Sequence, residues 1–407
     1  MWLSDFRLVL PDQVLERGSL RIKDGRLVEI IEGVVQHADL HGNGLTLLPG
    51  IVDLHGDMLE REIEPRPKAI LPIDLALFEL DKRLVATGVT TAFAAISFHW
   101  HTHIRIRSEE WAREIIATVN RLRDHLLADF FIHARFEVTN PEAGPVLADL
   151  LHAQHIHLIS LMDHTPGQGQ YRDIERYIHT MVEWRKTRSG QDISAEELRA
   201  HVEQLQAHPK AWDVVNQVAA VAAQRAIPLA SHDDDSEDKV EFVAGLGTTI
   251  SEFPVTLQAA QAAKARGMHI IMGAPNALLG KSNTNNLSAL DGIRAGVVDI
   301  LAADYHPGAM MQAAFNIAAQ NILPLPQAIN LISLNPANAV GMTDRGSLEI
   351  GKVADLVIVE MMERPRVRAT LRGGKPIYWD GSLGNPSRMI LDTMPTPMPA
   401  FNFSGES

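Results

Sequence analysis

Short apolar runs alternate with amphipathic segments through the middle of the chain, and most of the runs end in polar residues. The runs have the length and β-branched content of strands that are buried on both faces. They lie at 51–55, 89–97, 130–138, 156–162, 227–231, 248–253, 269–273 and 298–303. Helical periodicity separates them at 73–87, 109–128, 141–153, 256–266 and 287–296. Eight strand–helix units predict a parallel (β/α)₈ barrel of the TIM type over residues 49–344. A doubly wound open sheet is the alternative, and the count and near-equal spacing favour the barrel.

The two ends of the chain share a different sequence pattern, which predicts short strands and turns. Residues 1–48 contain a hairpin signal at Asp24-Gly25, and a similar pattern returns over 345–380. We therefore expect a small β-sandwich domain that is formed from both ends, with the barrel inserted between them. A tail at 381–407, rich in Pro, Ser and Met, is expected to be extended or packed on a surface.

One connection is too long for an ordinary crossover. The charged stretch at about 165–226 is rich in helix formers and breaks near Ser189-Gly190. It predicts an insertion of two or three helices. A lid or dimer contact and a plain solvated insertion are equally good interpretations.

Composition narrows the class of protein. The chain of 407 residues is 46% hydrophobic, which favours a large core, and its formal net charge of −13 argues against general binding to nucleic acid or anionic membranes. It has no cysteine, so disulfides and thiolate zinc sites are excluded. The first residues do not have the pattern of a signal peptide, and no apolar run is long enough to span a membrane. The expectation is a soluble cytoplasmic protein.

Imidazoles and carboxylates recur where the predicted strands end. Because catalytic groups in such barrels lie at the carboxyl ends of the strands, these residues should face one another. They are His55, Asp57, Glu137, His164, His232, Glu252 and Asp304. This set predicts a site for one or two divalent ions, with zinc first and manganese or magnesium as alternatives. Two ions that share a bridging carboxylate can activate water at neutral pH. Asp304 is the candidate for orienting that water and moving its proton, a role compatible with ligation.

Other histidines are weaker candidates. The stretch 99–103 alternates three histidines and is more readily explained as a substrate loop than as a metal site. His152, His155 and His157 lie at the start of the fourth predicted strand, at the wrong end of the barrel, and are expected to be structural. His201 and His208 lie in the helical insertion and are expected in solvent.

Several stretches together resemble a known family. They begin with Pro-Gly-Ile-Val-Asp-Leu-His-Gly-Asp and occupy positions 49–57, 64–68, 160–168, 230–234, 252–254, 272–276 and 304–305. They resemble the amidohydrolase superfamily, most closely its phosphonate-utilisation branch of PhnM-like α-D-ribose 1-methylphosphonate 5-triphosphate diphosphatases. The resemblance implies a metal-dependent hydrolase that releases diphosphate from a triphosphorylated ribose phosphonate. It implies metal roles for the seven residues named above, and Glu137 is the candidate bridge because no lysine stands near Met162. Gly56, Met58 and His306 depart from the branch.

Basic and amide side chains near the predicted site suit a polyphosphate substrate. Arg66 and Lys68 follow the first barrel strand, and Lys281, Ser282 and Asn283 follow the seventh. Arg can fork onto phosphate oxygens, and the loops after strands seven and eight often bind phosphate in this fold. A turn with an N-cap is the alternative for the second loop.

Three functions remain open from the sequence. The leading one is hydrolysis of a phosphoric anhydride in a small phosphorylated substrate, by a protein expected to be a homodimer. The second is hydrolysis of a C–N bond in an amide, lactam or aminated base. The third is a non-catalytic scaffold that has lost its metals.

Overall fold

The chain forms an eight-stranded parallel barrel and a second, mainly antiparallel sheet. The computed structural model describes residues 1–66, 68–99, 105–188, 194–282 and 286–384. The strands are β1 (Trp2–Val9), β2 (Val14–Lys23), β3 (Arg26–Glu32), β4 (Leu40–His41), β5 (Thr46–Pro49), β6 (Ile51–Gly56), β7 (Val89–Phe98), β8 (Asp129–Glu137), β9 (Leu158–Met162), β10 (Leu229–His232), β11 (Ile250–Glu252), β12 (His269–Gly273), β13 (Ile300–Ala302), β14 (Leu356–Met361), β15 (Pro365–Arg372) and β16 (Lys375–Trp379).

The helices lie mainly between the barrel strands. They are α1 (Met58–Ile63), α2 (Ile73–Ala86), α3 (Glu109–Leu122), α4 (Ala143–His152), α5 (Ile174–Arg188), α6 (Ala195–Ala207), α7 (Trp212–Gln224), α8 (Glu237–Gly245), α9 (Leu257–Ala265), α10 (Ala274–Leu279), α11 (Ala289–Arg294), α12 (Gly308–Ala319), α13 (Leu325–Asn330) and α14 (Leu334–Ala339). Local capping fixes where several of them begin. The hydroxyl of Ser108 accepts a hydrogen bond from the N–H of Trp111, and that of Thr256 accepts one from Ala259.

The second sheet joins both ends of the chain, as the sequence predicts. Its order is β16-β15-β14-β5-β1-β2-β3, with β4 beside β1, and the two ends meet where β5 runs antiparallel to β14. The predicted hairpin joins β2 to β3 through Asp24 and Gly25, which have φ values of 51° and 73°. Positive φ at both central residues is what a tight hairpin turn requires. The domain boundaries at residues 48, 345 and 380 stay a prediction.

The eight barrel strands lie side by side in chain order, from β6 to β13. The ring closes between these two strands, because Asp304 N–H donates to the carbonyl of His55 and Asp57 N–H donates to that of Asp304, both at 2.8 Å. The barrel prediction is therefore confirmed over the open sheet. Every residue of β7 is buried, as expected for a strand with both faces covered. Val52, Phe93 and Ile271 belong to an apolar cluster inside the ring.

The long connection after β9 contains three helices, α5, α6 and α7. The bounds of the predicted insertion, at about 165–226, stay a prediction. Ser194 and Glu197 form a reciprocal capping box at the start of α6. The insertion is fastened to the loop after β9: Lys210 pairs with Asp163, and Gln206 donates to the carbonyl of Pro166 at 2.9 Å. Most of the predicted tail, from 385 onward, lies outside the described residues.

None of the helices in the described part of the chain has the length and hydropathy needed to cross a bilayer.

Candidate metal centre at the mouth of the barrel

Three predicted ligands meet at the carboxyl ends of β6, β10 and β11. His55, His232 and Glu252 each offer one donor atom, and the three atoms lie within 4.8 Å of one another. All three side chains are buried, and Glu252 is 0% exposed. The parallel register of β10 and β11 sets His232 directly beside Glu252. Convergence of this kind depends on closure of the barrel, because the residues are far apart in the chain.

A second group shares His232 with the first. It consists of His164, His232 and Asp233, whose donor atoms also lie within 4.8 Å of one another. His232 Nδ1 and Asp233 Oδ2 are buried 3.3 Å apart, and neither satisfies hydrogen-bond geometry with any described residue. Buried polar atoms left this way are costly unless a ligand completes them. The donor set therefore fits a divalent cation.

The charges around His55 lead to the same conclusion. Its Nδ1 lies 3.2 Å from Glu252 Oε1, and its Nε2 lies 3.4 Å from Asp57 Oδ1. Burial alone would lower the pKa of His55, but the two carboxylates outweigh it and raise the pKa to about 10. The imidazole thus holds a proton between two carboxylates, at a place where positive charge is strongly favoured.

Glu252 is held from a second side. Ser160 donates to its other carboxylate oxygen and also contacts Nε2 of His133, which is fully buried. Burial lowers the pKa of His133 to about 3, so this imidazole is neutral. The contacts fix the orientation of Glu252, as partners behind a metal ligand commonly do.

Glu137 contacts His164 on two sides. Its Oε2 lies 2.7 Å from His164 Nδ1, and its Oε1 accepts the backbone N–H of His164 at 3.0 Å. Burial disfavours the carboxylate, but His164 keeps the pKa of Glu137 below its ordinary value. This arrangement orients His164 and leaves its Nε2 facing Asp233 at 4.0 Å. The bridging role expected for Glu137 stays a prediction.

Asp57 forms an ion pair with an arginine of the same chain. Arg135 Nη1 donates to Asp57 Oδ1 at 2.6 Å, and the pair is mostly buried. Burial would raise the pKa of Asp57, but Arg135 and His55 hold it well below its ordinary value. Neither Asp57 nor Asp304 belongs to the two donor groups found among the described residues. A metal role for Asp57 stays a prediction.

Asp304 stands at the closing seam of the barrel, just after β13. It has a φ of 55°, a strained value for a non-glycine residue, and its backbone is hydrogen-bonded to the first barrel strand. Burial, and then the charge of Asp57, raise the pKa of its carboxyl group to about 6. Strain and a perturbed pKa together are typical of functional positions.

The predicted substrate residues separate into two sets. Lys281 and Ser282 line the same cavity as His55, His232 and Asp304. Asn283 lies outside the described residues. Arg66 and Lys68 are exposed on a turn after α1 and are absent from the linings of the cavities around the metal groups. Their role in substrate binding stays a prediction.

The weaker histidine candidates also separate. His99 lines a second cavity beside the centre, while positions 100–103 lie outside the described residues. His157 accepts the backbone N–H of Ile132 at 3.1 Å, a structural role as expected. His208 was expected in solvent, and that expectation is wrong. Its Nε2 lies 3.2 Å from the carbonyl of Thr139, because the insertion folds back against the barrel.

Sequence reasoning missed Arg135, Asp233 and His133. The period of two along a strand carries a usable signal, since His133 and Arg135 share the strand face of the predicted ligand Glu137. Asp233 gives no such signal. It leaves the strand with a φ of 54°, which turns the next side chain in a direction that periodicity cannot predict.

Comparisons with known proteins add information on the family of the chain. The sequence model of the amidohydrolase family matches residues 155–377. The α-D-ribose 1-methylphosphonate 5-triphosphate diphosphatase of Escherichia coli (strain K12) is 33% identical over 93% of this chain and 100% of that enzyme. Among solved structures, N-acetyl-D-glucosamine-6-phosphate deacetylase from Mycobacterium smegmatis superposes with a TM-score of 0.62 at 16% identity, covering 93% of this chain and 100% of the other. A dihydropyrimidinase from Brevibacillus agri gives 0.58 at 12%, covering 93% and 95%.

The structural matches are too distant in sequence to carry more than the fold, and they confirm the barrel with its second sheet. The family match covers more than half of the chain, and the relative from E. coli aligns over its whole length. The resemblance noted in the sequence is therefore confirmed, and the chain belongs to the amidohydrolase family as a hydrolytic enzyme.

Proposed function

We propose that the enzyme hydrolyses a phosphoric anhydride, releasing diphosphate from α-D-ribose 1-methylphosphonate 5-triphosphate. The observation that carries this proposal is the 33% identity to an enzyme of that name over its entire length. The structure supports it with two groups of metal donors at the barrel mouth, next to a cavity that contains Lys281 and Ser282.

One or two divalent ions are proposed as cofactors, and zinc suits the donor set best. Neutral imidazole and carboxylate are zinc ligands, whereas manganese or magnesium would rely more on the carboxylates. His55, His232 and Glu252 would hold one ion, and His164 and Asp233 would hold a second with the help of His232. Bound at these positions, the ions supply positive charge for phosphoryl oxygens and lower the pKa of water.

Asp304 is proposed as the proton acceptor. It lines the cavity of the first donor group, and its pKa of about 6 keeps it ionised at neutral pH while leaving it basic enough to take a proton. Its backbone hydrogen bond to β6 holds it next to His55. A water proton that reaches this carboxylate leaves an oxygen free to attack phosphorus.

Lys281 and Ser282 are proposed to bind the substrate on the far side of this cavity. The ammonium group acts as a point charge toward phosphate or phosphonate oxygens, and the hydroxyl donates a hydrogen bond. Arg66 and Lys68 remain proposed contacts at longer range.

Product analysis tests the reaction type. The purified, metal-loaded enzyme should release diphosphate from the triphosphate ester and should release neither ammonia nor amine from hydantoins, dihydropyrimidines or aminated bases. Release of amine without diphosphate would replace the proposal with C–N hydrolysis. Metal-free protein as purified, inactive on every substrate even after reconstitution, would support the scaffold hypothesis.

Two broader proposals follow. A triphosphorylated sugar does not cross membranes unaided, so the cytoplasm is the proposed location. A homodimer is the proposed assembly, and sedimentation velocity tests it.

A further inference from the structure

A second cavity adjoins the one that contains the first donor group. The two linings share Asp57, Arg135 and Gln170, so the cavities meet at the ion pair between the first two. The second cavity reaches His164 and, through Tyr171, the helical insertion. A substrate that reacts where the two cavities meet therefore has room to extend into each of them.

Among the described residues, three arginines line the second cavity: Arg61, Arg107 and Arg135. They come from three separate elements, which are α1, the segment before α3, and β8. The chain as a whole carries a net charge of −13. Cationic walls in an acidic protein favour an anionic ligand.

Two of the arginines are held by ion pairs, and the third lies near an aromatic ring. Arg135 pairs with Asp57 at 2.6 Å, and Arg107 Nε pairs with the buried Glu60 at 2.9 Å. Glu60 in turn accepts the backbone N–H of Ser97 at 2.7 Å. The guanidinium of Arg61 lies 5.9 Å from the ring centre of Tyr305, which lines the first cavity. Arginines positioned in advance bind phosphate oxygens with less loss of side-chain entropy.

The second lining holds its three arginines against two carboxylates, Asp57 and Glu137, and the first cavity has the opposite balance. Its lining contains Asp57, Asp233 and Asp304, and beyond Arg135 its only lysine or arginine among the described lining residues is Lys281. Once ions occupy the donor groups, Asp233 is committed to a metal, Asp57 to its ion pair with Arg135, and Asp304 to the proton. Of the described lining residues, Lys281 is then the lysine that remains for the substrate on that side.

We propose that the second cavity is the site of the leaving diphosphate, and that the ribose and its phosphonate lie in the first cavity toward Lys281. This assignment rests on the proposed function. It places diphosphate, the more highly charged end of the substrate, among the arginines. The phosphonate monoester has a single ionisable oxygen and lies toward Lys281. The water oxygen bonds to the α-phosphorus and its proton passes to Asp304. The bond from that phosphorus to the bridging oxygen breaks, and the electron pair leaves with diphosphate toward Arg61 and Arg107.

Product inhibition of the metal-loaded enzyme, with free metal ion buffered, tests the assignment. Arg61→Met and Arg107→Met should each raise the inhibition constant of inorganic diphosphate roughly ten- to a hundredfold, the loss expected for one charge-assisted hydrogen bond. Inhibition by the monoanion of methyl methylphosphonate should be unchanged. Lys281→Met should show the reverse pattern. Arg113→Met is the matched control, since Arg113 pairs with Asp149 on the exposed surface and belongs to neither lining.

Arg107→Met leaves Glu60 without its ion pair, so this variant can lose stability. Arg61 is exposed and its replacement leaves no buried charge, which keeps the test intact. Unchanged diphosphate inhibition in Arg61→Met would overturn the assignment, as would equal weakening of both inhibitors. Calorimetric binding of diphosphate to the metal-loaded protein gives a readout that does not require turnover. Absence of turnover by the wild type, with arginine-dependent diphosphate binding intact, would refute the proposed function and leave the anion site standing.

Discussion

The guanidinium of Arg135 donates a 2.6 Å hydrogen bond to Asp57, the carboxylate that the sequence pairs with His55 as a metal ligand. The pair is mostly buried and stands between the two cavities. A cation of the chain thus neutralises one carboxylate of a strongly acidic centre before any metal binds. This relationship places positive charge where the proposed substrate bends from one cavity to the other.

Breaking the ion pair between Arg135 and Asp57 should lower the free energy of unfolding, and removing the second charge should restore most of it. Arg135→Met leaves the mostly buried carboxylate of Asp57 with His55 alone, 3.4 Å away, and the metal-free protein should lose roughly 3 kcal/mol of unfolding free energy. Adding Asp57→Asn should recover most of that loss, because the uncompensated charge is gone, while kcat/KM stays low. Denaturant unfolding of the two single variants and the double variant measures the coupling. A double variant as unstable as the sum of the single ones would show that the pair does not act as a unit.

His232 should matter more for metal content than any other ligand, since both donor groups contain it. His232→Asn should lower the metal bound per chain at both sites, whereas His164→Asn should affect one. Metal analysis of the dialysed proteins gives the numbers. His133→Asn is a comparison variant, because His133 lies next to Glu252 but outside both groups. Equal metal loss in all three would mean that the groups do not define the sites.

Glu137→Gln separates two roles for Glu137. If it orients His164 or bridges two ions, the substitution should lower metal content as well as rate, because the amide presents an N–H where a carboxylate oxygen now faces the imidazole. Inductively coupled plasma analysis beside steady-state kinetics distinguishes the cases. Full metal content with a changed KM alone would make Glu137 a substrate contact.

The residues at the carboxyl ends of the barrel strands could be predicted from the sequence, whereas the contacts between side chains on different strands could not. His55, His232 and Asp304 follow apolar runs whose length and alternation predict strands, so their common placement follows from the fold. The pair of Arg135 with Asp57 forms between the ends of two different strands, and it depends on side-chain rotamers that the sequence does not determine. Arg61 and Arg107 were missed because their places depend on how α1 and the segment before α3 pack above the barrel. The more conspicuous Arg66 and Lys68 lie on an exposed turn.

Asp304 should make the metal-free protein less stable as pH rises. Its pKa lies at about 6 in the folded state against an ordinary 3.8, so folding favours its protonated form. Stability is therefore lost between about pH 4 and pH 6 and stays lower above that range, by ~3 kcal/mol at most. Asp304→Asn should raise the unfolding free energy at pH 7 more than at pH 4.5, while abolishing turnover of the loaded enzyme. Thermal unfolding at the two pH values measures this, and the same gain at both would mean that Asp304 is not titrating in this window.

Hydrolysis of α-D-ribose 1-methylphosphonate 5-triphosphate in ¹⁸O-enriched water tests the central claim most directly. The account predicts that the metal-loaded enzyme releases diphosphate, that ³¹P NMR finds the ¹⁸O label on the sugar 5-phosphate, and that chelation stops the reaction. Label in the diphosphate, release of single phosphates, or full turnover by metal-free protein would contradict it.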